Sequence, residues 1–256
     1  RVLALDFSHP IPYVLEFKFD WLWVELIYKN GELVQAITRG NGIEWEDVTM
    51  NVKTIKNIPT TIAYKDQLEV RWEVVMPLSA FEALNANARK SGGKVFSNPR
   101  NAASGSLRLL DASVTAGRNL KFFAYDLANF EEFRTKEQKT TYVDTIKDLE
   151  KFGFEISSYF VRCKNISEVI ASIENFWDVK STIDFDIDGL VIKEDDLSLW
   201  QDIGFTAHHP RFAIAYKFPA EILSTRILSV EHQVWRTGTI TPVANLEPIF
   251  IWWVTV

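Results

Sequence analysis

The sequence predicts an α+β fold, because strand patterns and helix patterns occupy separate stretches of its 256 residues. Residues 13–39 hold apolar, β-favouring runs joined by Lys29-Asn30-Gly31-Glu32, and Asn-Gly accepts the positive φ angles of a tight hairpin turn. Residues 136–152 repeat apolar side chains at the spacing of an amphipathic helix. A strand-rich start followed by helices between further strands therefore places the chain in the α+β class.

Composition and charge limit the possible function classes. The chain is 47% hydrophobic and 24% charged, which is typical of a globular protein. A net charge of -6 argues against a chain-wide electrostatic grip on nucleic acid, so any such contact must be a local patch. The single cysteine, Cys163, excludes an internal disulfide framework and a four-cysteine zinc site. We expect a cytoplasmic protein without a signal peptide or membrane partner, because no apolar run is long enough to span a bilayer.

The first strand carries the most informative charged pair. In Glu16-Phe17-Lys18-Phe19-Asp20, alternation places Lys18 and Asp20 on one face and the two phenylalanines on the other, where they can be buried. Lysine is a nucleophile only when it is neutral, so such a site must desolvate the amine or surround it with cations. Alternatively, the lysine and the carboxylate form a solvated ion pair of little energetic value. The candidate cations are Arg39, Lys193 and Lys217.

Alternating side chains and helix-capping residues predict the strands and helices in the middle of the chain. Residues 68–76 form a predicted strand with Glu73 on a charged, solvated face and Trp72 on the opposite, apolar face. Ser79 and Glu82 make a capping-box pattern that predicts a helix to about residue 90, and Asn165 caps a later helix. Further predicted elements are a short helix at 46–52 and strands at 119–127 and 157–163. The helices at 136–152 and after Asn165 are assigned to packing alone, through Tyr142, Ile146 and Leu149 in the first and Ile166, Val169, Ile170 and Ile173 in the second.

The stretch from Phe96 to Arg108 has an unusual composition. It consists mainly of small residues, with Arg100 and Arg108 eight positions apart. Small side chains let backbones approach closely, and arginines can form paired hydrogen bonds to phosphates. The alternative is a small-residue helix packed in the core with both arginines outside.

Two late strands each end in a lysine. An acidic run from Asp184 turns through Gly189 into an apolar strand that ends at Lys193, and residues 211–219 form a second apolar strand that ends near Lys217. Lysine is rarely buried without a partner, and an anion such as a nucleotide phosphate would account for both lysines. The carboxylates could bind a metal, although acidic loops of this kind are commonly just solvated.

Taken together, these segments resemble the adenylation domain of bacterial NAD-dependent DNA ligases, over nearly the whole chain from Tyr13 to Val256. Glu16-Phe17-Lys18-Phe19-Asp20-Trp21 is similar to the family's lysine motif, Glu-Pro-Lys-x-Asp-Gly, and Asn98 to Arg108 matches a family hallmark almost letter for letter. The other matching segments are Thr38 to Gly42, Val70 to Glu73, Ile187 to Lys193, Ala215 to Pro219, Arg236 to Gly238 and Thr241-Pro242.

The resemblance implies a nucleotidyltransferase fold of antiparallel sheets flanked by helices over residues 1–222, and the first strands of an incomplete OB-type barrel over residues 223–256. It also implies that Lys18 attacks the α-phosphate of NAD, expels nicotinamide mononucleotide and becomes lysyl-AMP. The AMP then passes to the 5′-phosphate of a nick in double-stranded DNA, as in replication and repair. We expect nearby cations to favour the neutral amine of Lys18.

Family roles carry over to individual positions of this chain. Lys18 and Asp20 are the expected catalytic residues. The expected nucleotide-binding residues are Glu16 and Glu73 for the nucleoside, with Arg39, Lys193 and Lys217. Arg100 and Arg108 are expected on the DNA backbone. NAD and Mg²⁺ are the implied cofactors, with Asp188 as a candidate near the metal and no zinc. We expect a monomer that seals no nicks and reacts weakly with NAD on its own.

The chain departs from the family where bulky aromatic residues replace small ones. These residues are Phe17, Trp21, Trp23, Trp45, Trp72, Trp235, Trp252 and Trp253. One hypothesis is that Trp21 and Trp72 obstruct the adenosine site, which would leave a catalytically impaired scaffold that binds nucleotide or DNA. Another is a related nucleotidyltransferase that uses ATP, although the stretch from Asn98 to Arg108 favours NAD.

Overall fold

A computed structural model describes residues 10–19, 22–38, 45–206, 209–219, 222–251 and 254–255. The predicted α+β class is confirmed, since helices and antiparallel sheets both contribute to one hydrophobic core. None of the helices within these ranges combines the length and apolar character needed to cross a lipid bilayer.

The described strands include Leu22–Lys29 and Leu68–Val75, in which buried and more exposed side chains alternate, as expected of a sheet with one covered face. In chain order the strands are β1 (Tyr13–Lys18), β2 (Leu22–Lys29), β3 (Glu32–Thr38), β4 (Glu46–Asp47), β5 (Leu68–Val75), β6 (Lys121–Leu127), β7 (Phe160–Cys163), β8 (Gly189–Glu194), β9 (Ala213–Lys217), β10 (Ile227–Val234), β11 (Ile240–Leu246), β12 (Phe250–Ile251) and β13 (Val254–Thr255).

The helices lie mostly between β5 and β9. They are α1 (Thr49–Val52), α2 (Leu78–Ser91), α3 (Pro99–Leu107), α4 (Ala112–Ala116), α5 (Phe130–Lys136), α6 (Tyr142–Lys151), α7 (Ile166–Lys180) and α8 (Leu197–Ile203).

Two sheets form the frame of the molecule. One has the strand order β4-β3-β2-β5-β6 and the other β7-β1-β8-β9, and neighbouring strands in both are antiparallel. Strand β1 lies inside its sheet between β7 and β8, which come more than a hundred residues later in the sequence. The element that carries Lys18 is therefore held on both edges.

The start of α2 differs from the predicted capping box. The helix begins at Leu78, after Pro77, and Ser79 lies inside the first turn. The Ser79 backbone N–H and hydroxyl both donate to the carboxylate of Asp184, at 3.0 and 2.6 Å. The distant Asp184 thus accepts from the Ser79 N–H group, whose acceptor in the predicted capping box is the Glu82 side chain.

The predicted helix over residues 136–152 is wrong at its start. Helix α5 ends at Lys136 and α6 begins only at Tyr142, with the Thr141 hydroxyl accepting from the Asp144 N–H. The segment between α5 and α6 is hydrogen-bonded to the residues that follow β8. The Leu197 N–H donates to the Thr140 carbonyl, and the Tyr142 N–H donates to the Asp195 carbonyl. These long-range bonds override the local periodicity. Similarly, the predicted helix at 46–52 divides into β4 and the single turn α1.

Helix α7 has the predicted cap but a different buried face. The Asn165 side chain accepts from the Glu168 N–H at 3.0 Å. Val169 is buried, whereas Ile166 and Ile170 are exposed and so were wrongly placed inside. The inward face passes through Val169 and Phe176, which lie two helical turns apart.

Strands β10 and β11 form an antiparallel hairpin whose β10 side chains are all exposed. Their assignment to an OB-type barrel stays a prediction.

Candidate active site

A cavity of about 690 Å³ opens beside β1 and is lined from both sheets. Strand β1 contributes Glu16 and Lys18, and β8 contributes Lys193. Its other lining residues include Arg71 and Glu73 of β5, Tyr125 and Asp126 of β6, and Phe130, Trp200 and Phe212. A volume of this order suits a small organic ligand such as a nucleotide.

The orientation of Lys18 follows from the alternation of β1. Phe17 and Phe19 are buried as predicted, and Phe19 stacks on Phe123 with ring centroids 5.3 Å apart. Phe17 packs edge-on against Phe176 of α7 at 6.0 Å. Because these rings fix one face of the strand, Glu16 and Lys18 must project from the other.

Lys18 is paired with a carboxylate that comes 170 residues later. Its Nζ donates to Oδ2 of Asp188 at 3.0 Å, and the Asp188 backbone N–H donates to the Lys18 carbonyl at 2.9 Å. The two side chains are 23% and 38% exposed, so solvent reaches this ion pair and the pair adds little stability. An ammonium has no lone pair, so Lys18 must lose a proton before it can attack an electrophile.

Gly189 separates Lys18 from Lys217. In the register of the sheet, Lys18 pairs with Gly189 on one side and Gly189 pairs with Lys217 on the other. A Cβ at Gly189 would lie 2.0 Å from the Tyr216 carbonyl oxygen, and its φ of +154° is a conformation that L side chains rarely adopt. Only glycine therefore allows β8 and β9 to approach so closely beside Lys18.

Lys193, in the wall of the cavity, is held by three acceptors. Its Nζ lies 2.6 Å from Oε1 of Glu16, 2.6 Å from the Tyr142 hydroxyl and 3.2 Å from the Tyr125 carbonyl oxygen. Burial raises the pKa of the Glu16 carboxyl, and the Lys193 ammonium opposes that rise. Burial also raises the pKa of the Tyr142 hydroxyl well above its usual value, so this group stays protonated.

The opposite wall combines a charged pair with aromatic rings. Arg71 donates to the Asp126 carboxylate at 3.0 Å. Trp200 stacks on Phe212, with centroids 3.8 Å apart, and on Phe130 at 5.0 Å. The cavity thus offers an apolar, aromatic end that suits a flat base and a charged end that suits sugar and phosphate groups.

Comparison with known proteins decides the family. The family model for the NAD-dependent DNA ligase adenylation domain matches residues 2–221 of the chain. The chain belongs to this family.

Individual relatives give the same answer for this adenylation domain. The DNA ligase of Acinetobacter baumannii (strain AYE) is 44% identical over 254 residues, which cover 97% of this chain and 37% of the relative. The DNA ligase of Cytophaga hutchinsonii is 42% identical over 247 residues, which cover 95% and 36%. That of Bacillus thuringiensis (strain Al Hakam) is 44% identical over 239 residues, which cover 93% and 35%. The chain therefore spans about a third of the length of the curated relatives it matches.

The adenylation domain brings four of the sequence-predicted site residues together around the cavity. Glu16, Lys18, Glu73 and Lys193 line one cavity. Lys217 is aligned with Lys18 across Gly189 in the sheet, but its side chain is exposed and does not line the cavity. The apolar pattern of residues 211–219 suggested a buried strand, and this is wrong for β9, where Ile214 is 67% exposed. Asp20 and Arg39 lie outside the described residues.

Trp72 does not obstruct the cavity of the adenylation domain. Its side chain is fully buried on the core face of β5 and meets Phe154 edge-on, with centroids 4.9 Å apart. Arg71 and Glu73, its neighbours in sequence, project to the cavity instead. The obstruction hypothesis is therefore wrong for Trp72, because strand alternation turns its ring away; Trp21 lies outside the described residues.

The two candidate DNA-contacting arginines lie on α3 and its end. Asn98 caps this helix by accepting from the Asn101 N–H at 2.7 Å, and Ala102 and Ala103 are buried beneath it. Arg100 is exposed on the first turn, and Arg108 pairs with Glu46 at 2.6 Å. The predicted small-residue helix with outward arginines is confirmed, and neither arginine lines the cavity.

Sequence reasoning missed several groups in and beside the cavity of the adenylation domain. Tyr142 was assigned to packing, and Arg71, Tyr125 and Asp126 were given no role. Alternation in β5 placed Arg71 on the same face as Glu73, but this face was taken as solvated surface and not as the wall of a cavity. No local signal could have identified Tyr142, because its hydroxyl meets Glu16 across 126 residues.

Proposed function

We propose that this chain carries out the adenylation step of NAD-dependent DNA ligation, with Lys18 as the residue that forms lysyl-AMP. The observation that carries the proposal is the position of Lys18, whose amine projects into a nucleotide-sized cavity that Glu16, Glu73 and Lys193 also line. Membership of the adenylation-domain family supports the choice of NAD as the AMP donor.

The reaction requires one bond exchange at phosphorus. The neutral Lys18 amine attacks the α-phosphorus of NAD, a P–N bond forms, and the P–O bond to nicotinamide mononucleotide breaks. That mononucleotide leaves as its phosphate anion, and the proton lost from Nζ can pass to Asp188, which lies 3.0 Å away. Catalysis of such transfers depends on positioning and on neutralising the phosphate oxygens. Asp20 remains the second catalytic residue that we propose.

The cavity walls suggest how the nucleotide is held. Glu16 and Glu73 can accept hydrogen bonds from the nucleoside, and Lys193 can donate to the nucleotide once it exchanges one of its present acceptors. We propose Lys217 and Arg39 as further cations for the nucleotide. The aromatic end formed by Trp200 and Phe212 offers apolar surface to the base.

Mg²⁺ fits this site only if water and the phosphate groups of the nucleotide supply most of its ligands. The described residues include no group of three or more His, Cys, Asp or Glu side chains able to hold a metal. Mg²⁺ commonly keeps several waters and takes one or two carboxylates plus substrate phosphates, so Asp188 could supply one oxygen beside Lys18. The ion would neutralise charge on the phosphate groups.

The later steps and partners are also proposed. Arg100 and Arg108 would contact the backbone of nicked double-stranded DNA, to which the AMP is transferred before the 3′-hydroxyl displaces it. We place the boundary between the adenylation domain and the start of an OB-type barrel at residues 222–223, just before β10. We further propose a monomer that acts in the bacterial cytoplasm.

Mass spectrometry of the 256-residue chain tests the adenylation step. After prolonged incubation with NAD and Mg²⁺, we expect a gain of one AMP on Lys18, formed slowly if the isolated chain reacts weakly. Lys18→Arg keeps the positive charge and should show no gain, because its guanidinium stays protonated and cannot attack. A parallel incubation with ATP distinguishes a nucleotidyltransferase that uses ATP.

Three results would contradict the proposal. They are the absence of any adduct at saturating NAD, an equal adduct in the Lys18→Arg variant, and a faster reaction with ATP than with NAD.

A further inference from the structure

One tyrosine hydroxyl joins two charged groups that line the cavity, Glu16 and Lys193. We call Glu16, Tyr125, Tyr142 and Lys193 the Tyr142 cluster. Tyr142 is the first residue of α6 and is fully buried, yet its hydroxyl reaches three other elements. The hydroxyl oxygen lies 3.1 Å from Oε2 of Glu16 on β1 and 2.6 Å from Nζ of Lys193 on β8, and it donates to the Tyr125 carbonyl oxygen at 2.7 Å.

The donors and acceptors of the Tyr142 cluster are matched. A lysine ammonium has three N–H donors, and those of Lys193 have three acceptors: the Glu16 carboxylate, the Tyr142 hydroxyl and the Tyr125 carbonyl. The Tyr142 hydroxyl has one proton, which goes to the nearer acceptor, the Tyr125 carbonyl. Oε2 of Glu16 therefore keeps lone pairs for a donor on a ligand.

We propose that Tyr142 is a positioning residue for nucleotide binding, whose hydroxyl holds Lys193 away from Oε2 of Glu16. This inference rests on the proposed function and adds a residue that acts through two others. Without the hydroxyl, Lys193 has an unsatisfied N–H in a buried site and turns onto both oxygens of Glu16. That arrangement removes the acceptor that the nucleoside needs.

Packing alone does not explain a tyrosine at this position. The ring meets Trp200 and Phe160 with centroids 5.8 and 6.2 Å apart, contacts that phenylalanine would make equally well. The ammonium of Lys193 also lies over the Tyr142 ring, 4.3 Å from its centroid. Tyr142→Phe keeps both kinds of contact and removes the hydroxyl alone, so it separates positioning from packing.

The test compares Tyr142→Phe with a matched control, Tyr28→Phe. Tyr28 is also fully buried and donates its hydroxyl to one backbone carbonyl, that of Pro59, at 2.7 Å, but it does not line the cavity. The first measurement is the NAD concentration that half-saturates Lys18 adenylation in single turnovers. We expect it to rise about tenfold in Tyr142→Phe and to stay unchanged in Tyr28→Phe, because hydrogen bonds to charged groups are the stronger ones. The rate at saturating NAD should fall far less.

The second measurement does not depend on NAD. Acetylation of individual lysines by acetic anhydride, mapped by mass spectrometry, reports how firmly each amine is held. We expect the labelling rate of Lys193 to change severalfold in Tyr142→Phe, and that of Lys151, on the outer surface of α6, to stay the same. Tyr28→Phe should alter neither lysine.

The outcomes separate the two proposals. If the parent chain forms no lysyl-AMP, the proposed function fails, and the labelling of Lys193 still decides whether Tyr142 positions it. If the parent chain reacts and Tyr142→Phe needs no more NAD than Tyr28→Phe does, the positioning role is overturned. An equal Lys193 labelling rate in both variants overturns it as well.

Discussion

Replacement of Gly189 by alanine should destabilise the fold far more than an ordinary glycine substitution. A Cβ there would lie 2.0 Å from the Tyr216 carbonyl oxygen, which belongs to the backbone and cannot rotate away. The strained φ of +154° costs about 1–3 kcal/mol. Separation of β8 from β9 would also weaken two ladder hydrogen bonds, at roughly 1 kcal/mol each. We expect a loss of about 4 kcal/mol in the free energy of unfolding.

Gly92 provides the matched control. It also has a positive φ, +68°, at the end of α2, but a Cβ there would have no neighbour within 4 Å. Gly92→Ala should therefore cost about 1 kcal/mol, from backbone strain alone. Urea unfolding followed by circular dichroism gives both values. If Gly189→Ala loses no more stability than Gly92→Ala, the collision between β8 and β9 is not real and the reasoning fails.

Two further predictions concern pH and a helix cap. Burial raises the pKa of Glu194 from 4.5 to about 7, so the folded chain keeps a proton that the unfolded chain releases, and the free energy of unfolding should fall as pH rises through this window. Glu194→Gln should remove about 2 kcal/mol of that fall between pH 5 and 8, measured by urea unfolding at each pH. Asp184→Ala should cost about 1 kcal/mol, because it removes the acceptor for the first turn of α2, whereas Ser79→Ala keeps the N–H bond and should cost less in the same assay.

Each of these predictions has a clear contrary result. An unchanged pH slope in Glu194→Gln would show that this carboxyl ionises normally in the folded chain. An equal loss in the Asp184 and Ser79 variants would show that the carboxylate does not support α2.

Local rules predicted the features that are decided within a few residues. The Asn165 cap, the end of α2 near residue 90 and the burial of Phe17 and Phe19 all follow from side-chain chemistry at fixed spacing. Alternation also placed Trp72 on the apolar face of β5, although its place in a nucleotide-binding motif suggested the opposite. Strand geometry was the better guide there, because a strand residue cannot change face without a shift of the whole register.

Features that depend on long-range pairing could not be predicted from the sequence. The register that pairs Val14 with Lys193 sets Lys193 beside Glu16, and no short motif records it. The start of α6 depends on a bond to the Asp195 carbonyl, which lies in a different part of the chain. In the candidate site, the residues were therefore predictable from motifs, whereas their partners, Asp188 for Lys18 and Tyr142 for Lys193, were not.

The position of β1 inside its sheet has a consequence for biosynthesis. Strand β1 is synthesised before its neighbours β7 and β8, which emerge from the ribosome only after about 140 and 170 further residues. Contacts this distant in sequence slow folding, because a long loop must close before they form. The nascent chain must therefore keep an apolar strand unpaired until the domain is nearly complete, and a chaperone that shields residues 13–19 during translation should raise the yield of folded protein.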